Sequence, residues 1–257
     1  MDHPFPTREI LGVKVAVCGR GDAIAFLLER LARRQETKVA FANANLLTTL
    51  ADEPGGAKLL DGFLVFNDGI GLDIASKILF GNPFPDNVNG SDLTPALIAA
   101  VPKDTRIFLF GARPGVAEKA GAILAQRFGA AICGTCDGYE GARDPSRLLA
   151  TISEARPDIL LVALGNPRQE EWIAQNAGKL GVPIAMGIGA LLDYLADTVP
   201  RAPRLVQRLR LEWLWRVALE PRRLGKRYTV DFIRFLWLVR KQKLMGGSGG
   251  SQRGGED

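Results

Sequence analysis

The chain has 257 residues, 47% of them hydrophobic, with 29 glycines and 15 prolines, so it can bury one sizeable core and does not read as a disordered chain. Three cysteines (Cys18, Cys133, Cys136) cannot build a disulfide framework, and a single histidine at position 3 rules out Ser-His-Asp and Cys-His catalysis. The net charge of +5 is unevenly spread: Pro200–Met245 carries thirteen basic residues against three acids, and the body before it is net acidic.

Such a basic segment attracts lipid headgroups, a diphosphate or nucleic acid. No helix-turn-helix, RNA-recognition or zinc-finger pattern accompanies it, which argues against nucleic acid. Met1–Thr7 has no apolar leader run, and no stretch reaches the roughly 18 uncharged apolar residues of a spanning helix. The expectation is a cytoplasmic protein, soluble or held at a membrane surface.

In chain order, short apolar runs alternate with amphipathic helical stretches. The runs are 13–19, 38–44, 63–68, 106–112, 130–136, 158–165 and 182–189; helical patterns cover 23–34, 115–128, 145–155 and 167–179. Runs apolar throughout, separated by helices, predict an α/β fold with a mostly parallel sheet covered on both faces. Ligands of such sheets bind beyond the carboxyl ends of the strands. After Pro200 the strand pattern stops and two helical segments follow, divided at Glu220-Pro221, with Pro221 suited to open the second. The expected organisation is a catalytic domain over 1–199, a basic Trp/Arg-rich helical appendage over 200–245 and a disordered tail over 246–257.

Gly19-Arg20-Gly21 occupies the place of a dinucleotide fingerprint, but Ile24 replaces the third glycine, so a tight strand-to-helix turn is the better reading. Cys133 and Cys136 form a C-x-x-C without a second ligand pair, which favours structural cysteines over a metal site. No D-x-D is present to hold a divalent metal, so a diphosphate would need arginines or backbone N–H groups. General base work falls to a carboxylate, with Asp68, Asp73, Asp92, Asp137, Glu170, Glu171 and Asp193 near strand ends or helix starts. Helix capping is their plain alternative, and spacing does not rank them. In the 164–172 stretch, LGNPRQEEW, a strand end, a glycine and a proline would display Asn166, Gln169 and Glu170 at a helix N-terminus, a place for an anionic ligand.

Seven stretches together resemble a known family: ANANLL (42–47), NDGIGLDIAS (67–76), NGSDL (89–93), FGARPGVAEKA (110–120), PDILLVALGNPRQEEWI (157–173), MGIGALLDYLA (186–196) and RAP…LEWLWRVALEPRRLGKRY (201–228). In order and spacing they resemble the WecG/TagA/CpsF family of bacterial glycosyltransferases. The resemblance implies a Rossmann-like sheet and an inverting enzyme without metal or other cofactor. Such an enzyme transfers a sugar from a UDP-sugar to a polyprenyl-diphosphate-linked saccharide.

By motif, Asp68 is the proposed base, Asn45 the asparagine of a T-x-N motif, and Asn43 stands where threonine is usual. Gln169 matches the glutamine of the G-N-P-x-Q-E motif and Asp193 the aspartate associated with the uracil; Gly111, Tyr139 and Gly165 complete the substrate-binding set. The activity-bearing arginines of the appendage fall among Arg216, Arg222, Arg223 and Arg227. The appendage is expected to close over the pocket and hold the enzyme on the anionic inner face of the plasma membrane. The family can also store an inactive homo-oligomer. Its members transfer glucose, N-acetylmannosamine or the uronic acid of the latter; the loop wording here is nearest the exopolysaccharide branch that adds the second glucose of a lipid-linked cellobiose. A nicotinamide-dependent oxidoreductase and a non-catalytic nucleotide-sugar-binding membrane protein remain as rival classes.

Overall fold

The computed structural model describes residues 3–200, Ala202, Pro203, Val206, Trp215, Val217 and 221–247, the last segment without side chains over 221–229. A hairpin of β1 (Thr7–Ile10) and β2 (Val13–Ala16) comes first, turning through Leu11 (φ +50°) and Gly12 (φ +81°). Two central residues with positive φ match the right-handed twist of paired strands. The 13–19 run is therefore not a strand of the parallel sheet, contrary to the expectation. It pairs antiparallel with a strand that the hydrophobic pattern did not announce.

The other six runs make one six-stranded parallel sheet: β3 (Thr37–Ala42), β4 (Phe63–Asn67), β5 (Arg106–Gly111), β6 (Ala131–Cys136), β7 (Ile159–Ala163) and β8 (Ile184–Gly187). Their order is β4-β3-β8-β7-β5-β6. The chain builds one flank with β3 and β4, crosses to build the other with β5 and β6, and fills the middle with β7 and β8. All six carboxyl ends consequently share one edge.

Successive strand residues feed opposite faces. Ile159 and Leu161 of β7 pack in one apolar layer with α1 (Arg20–Ala32), α4 (Gly90–Ala100) and α5 (Val116–Phe128). Leu160 and Val162 pack in the other with α2 (Ala44–Asp52), α3 (Ile70–Phe80), α7 (Pro145–Ala155) and α8 (Arg168–Leu180). Two short helices, α6 (Gly138–Arg143) and α9 (Leu191–Leu195), complete the carboxyl edge.

The last helix, α10, is described over Pro221–Gly247, in the place of the second helical segment expected after Pro200. Phe235 and Val239 are fully buried in the same layer as α2 and α3. Gly71 makes this approach feasible, since a Cβ there would lie 3.3 Å from the Phe232 ring. Arg234 donates to Asp52 at 2.9 Å, and Gln242 bridges to Leu11 N and Glu9 O at 2.9 Å each. On the opposite side Val230, Ile233, Trp237 and Leu244 are more than half exposed, with Lys241 over the Trp237 ring. No helix among the described residues is long and apolar enough to cross a membrane.

Candidate active site

A cleft of about 1040 Å³ runs along the carboxyl edge, and the segments after all six parallel strands supply its wall. That size is at the upper end for a small-molecule site and leaves room for two ligands. Asn43 and Asn45 come from the end of β3, Asp68 follows β4, Arg113 follows β5, and Tyr139 and Arg143 follow β6. Gly165, Asn166, Arg168 and Gln169 follow β7, Gly187 ends β8 and Ile188, Gly189, Ala190 and Asp193 follow it, and Asp231 and Phe232 reach in from α10.

Asp68 owes its position to backbone geometry. Its N–H still pairs with Ala42 O at 2.8 Å, continuing the β3–β4 ladder one residue past the strand. Gly69 then takes φ +85°, ψ 170°, a conformation that side-chain-bearing residues avoid. Gly69, not Asp68, occupies the N-cap position of α3. The Gly69 N–H donates to Asn87 Oδ1 at 2.8 Å. Asp68 lines the cleft.

The other acids sort by partner. Asp137 is an N-cap, accepting from the Tyr139 and Glu140 N–H groups. Asp73 accepts from Phe84 N, and Asp92 faces Asn89 and Arg20 at the start of α4. Asp193 lines the cleft and accepts from Thr198 Oγ1 at 3.2 Å. Asp231, an acid the sequence reading did not single out, lines it too.

Asn43 caps α2, its Oδ1 accepting from Leu46 N at 3.0 Å. Threonine and asparagine both serve at an N-cap, which gives the departure at this position a physical basis.

The β7–α8 corner departs from the expected display. The Asn166–Pro167 peptide is cis, and α8 begins at Arg168. Asn166, Arg168 and Gln169 line the cleft, but Gln169 is only 2% exposed, and Glu170 is wholly buried and off the cleft wall. Gln169 packs against the end of β8, where a Cβ on Gly187 would lie 2.9 Å from its Nε2. Gln169 Nε2 donates to Asn166 Oδ1 at 3.0 Å and to Glu170 Oε1 at 2.8 Å, while its Oε1 accepts from Gly189 N at 3.0 Å. Burial pushes the Glu170 carboxyl up to about 7, with the hydrogen bond from Gln169 acting the other way.

Gly111 is not a lining residue. It ends β5 with φ +120°, and a Cβ there would fall 2.4 Å from Ala163 O, so its role is close strand approach. Gly165 (φ +77°) and the 59% exposed Tyr139 do line the cleft. Arg216 lies outside the described residues, as do the side chains of Arg222, Arg223 and Arg227. Arg113, Arg143 and Arg168 are three cleft arginines that sequence reasoning missed; of these only Arg113, two residues past β5, stood directly after a strand end where its place could have marked it.

Gly19 and Gly21 sit away from the cleft. Gly19 is the N-cap of α1 and its N–H donates to Asp22 at 3.2 Å, so the glycine pair is a helix start. The three cysteines are free thiols; burial pushes Cys18 up to about 12 and raises Cys133 and Cys136 as well. Thiols held protonated in this way are poor nucleophiles. No three His, Cys, Asp or Glu side chains gather as a ligand set among the described residues.

The family model described as the glycosyl transferase WecG/TagA/CpsF family matches residues 8–248. That span takes in the whole parallel sheet, every segment of the cleft wall and the helix that closes one side of it, and so the chain belongs to the WecG/TagA/CpsF family of glycosyltransferases.

Proposed function

We propose that the protein is an inverting, metal-independent hexosyl- or N-acetylhexosaminyltransferase. It takes a UDP-sugar as donor and a polyprenyl-diphosphate-linked saccharide as acceptor, in exopolysaccharide or cell-surface polysaccharide synthesis. UDP-glucose and a lipid-linked glucose are the favoured pair. The observation that carries the reading is the placement of Asp68: a carboxylate at a strand end, one residue before the N-cap glycine of α3, lining a cleft large enough for donor and acceptor.

In this mechanism the Asp68 carboxylate takes the proton of an acceptor hydroxyl. The hydroxyl oxygen forms its bond to the anomeric carbon from the face opposite UDP. The bond from that carbon to the diphosphate oxygen breaks, and UDP leaves with the electron pair. Positively charged groups must balance the departing diphosphate; Arg113, Arg143 and Arg168 in the cleft, with arginines of the 216–227 segment, are the candidates. Asn45, Gln169 and Asp193 are assigned to donor binding.

Membrane association belongs to the same reading. The exposed Val230, Ile233, Trp237 and Leu244 beside Arg240, Lys241 and Lys243 suit the boundary of an anionic bilayer, which would bring the lipid-linked acceptor to the cleft from the cytoplasmic side. The deciding experiment is Asp68→Asn assayed with UDP-glucose and a synthetic polyprenyl-diphosphate acceptor. A fall in kcat of about 10²–10⁴ with UDP binding retained is expected. Activity within a few-fold of wild type would remove Asp68 from the role of base.

A further inference from the structure

The Gln169 amide has one arrangement open to it. Gly189 N–H is a donor only, so the atom facing it at 3.0 Å must be the amide oxygen. The amide nitrogen therefore points the other way, where its two hydrogens meet Asn166 Oδ1 and Glu170 Oε1. Asn166 cannot enforce this, because its own amide could turn and present its nitrogen. Glu170 can, since its Oε1 accepts and does not donate when the carboxyl is ionised, and equally when the proton sits on Oε2. Gly187 leaves the space: a Cβ there would lie 2.9 Å from Gln169 Nε2 and 3.0 Å from its Cγ. The result is a brace joining the β7–α8 corner to the β8–α9 loop, which carries Gly189 and leads to Asp193. Glu170 Oε2 has no partner among the described residues, and the side chain has no exposed surface. A buried carboxyl so poorly satisfied is costly as a packing element alone.

We propose that Glu170 is a positioning residue for the nucleotide donor: by locking the Gln169 amide it holds the β7–α8 and β8–α9 loops at the spacing the donor requires. The inference rests on the donor reading above, and Glu170 itself does not line the cleft. With its nitrogen saturated, Gln169 has one acceptor lone pair left to offer a ligand, so any group it meets there must be a hydrogen-bond donor.

Three variants test this: Glu170→Met, which keeps the volume and removes the acceptor; Glu170→Gln, which keeps an acceptor oxygen; and Glu170→Asp, which keeps the carboxyl but withdraws it by one methylene. Each is measured for UDP binding by calorimetry, for donor KM and kcat, and for hydrogen exchange of the 183–195 segment without ligand. Expected for Glu170→Met is a UDP Kd and donor KM raised about tenfold, kcat within about threefold, and faster exchange at Gly189. Glu170→Gln should recover the affinity and the protection only in part, since its amide, like that of Asn166, can turn. If Glu170→Met does not fold, Glu170→Asp carries the comparison, with a smaller shift in the same direction.

A folded Glu170→Met or Glu170→Asp with wild-type UDP affinity, KM and Gly189 protection overturns the proposal. Equal losses in kcat and thermal midpoint without a KM change would also overturn it, marking a merely structural residue. Wild-type protein that binds no UDP would instead defeat the donor reading, and with it the positioning role, while the exchange data still report whether the brace exists.

Discussion

The backbone N–H of Gly69 donates to Asn87 Oδ1 at 2.8 Å, so the residue after Asp68 is pinned by a side chain from the loop before α4. In the same loop Asp86 O accepts from Asn67 Nδ2 at 2.9 Å, on the other side of Asp68. The candidate base is therefore held between two backbone neighbours that are each tied to one loop. Asn87→Ala should lower kcat about tenfold at a stability cost of about 1 kcal/mol. Steady-state kinetics beside a urea titration checks this, and an unchanged kcat would show that Asp68 is positioned without Asn87.

Glu170 makes stability depend on pH. Its carboxyl holds its proton in the folded chain to about 7 against 4.5 as the ordinary value, burial being the main cause. The folded state thus binds the proton more tightly than the unfolded one. The stability this confers is fully present below pH 4.5 and is lost as the pH rises through about 7. Wild type should lose on the order of 2 kcal/mol relative to Glu170→Gln between pH 5 and 8, read from urea midpoints. Parallel curves for the two proteins would place the titration elsewhere.

Gly111 should behave as a fold residue. Alanine there combines a left-handed φ with a Cβ 2.4 Å from a backbone oxygen of the neighbouring strand. Gly111→Ala should cost about 3 kcal/mol or more, seen as a lower thermal midpoint and a poor soluble yield. A stable Gly111→Ala protein with only a raised donor KM would return this glycine to the binding site.

The two sides of α10 should separate stability from surface binding. Phe235→Ala removes a fully buried ring and should cost about 3–5 kcal/mol. Ile233→Ser with Trp237→Ser, both on the exposed stripe, should leave the urea midpoint within about 0.5 kcal/mol of wild type. The same pair should reduce co-sedimentation with phosphatidylglycerol vesicles several-fold; unchanged sedimentation would move the membrane contact away from this stripe.

Much of the architecture was legible because burial on both faces imposes an unbroken apolar run, and six of the seven runs are strands of one parallel sheet. The seventh, 13–19, has the same composition, yet β2 pairs with β1 through the Leu11-Gly12 turn. Pairing partners depend on turn geometry and on contacts distant in sequence, which a local pattern does not encode.

At the site, residue chemistry narrowed the general base to a carboxylate, and motif resemblance picked Asp68. Only the tertiary structure decided what surrounds each acid: the Tyr139 N–H at Asp137, the Phe84 N–H at Asp73, and Gln169 over the buried Glu170. Seven acids near strand ends look alike in one dimension, because a carboxylate's role follows from which N–H groups and how much water surround it. Sequence by itself determined the alternation of strands and helices, the place of the strand ends and the kinds of side chain available there. The fold decided which of those side chains share a cleft, because six parallel strands bring to one edge segments from Asn43 to Asp193, and α10 adds Asp231 beside them.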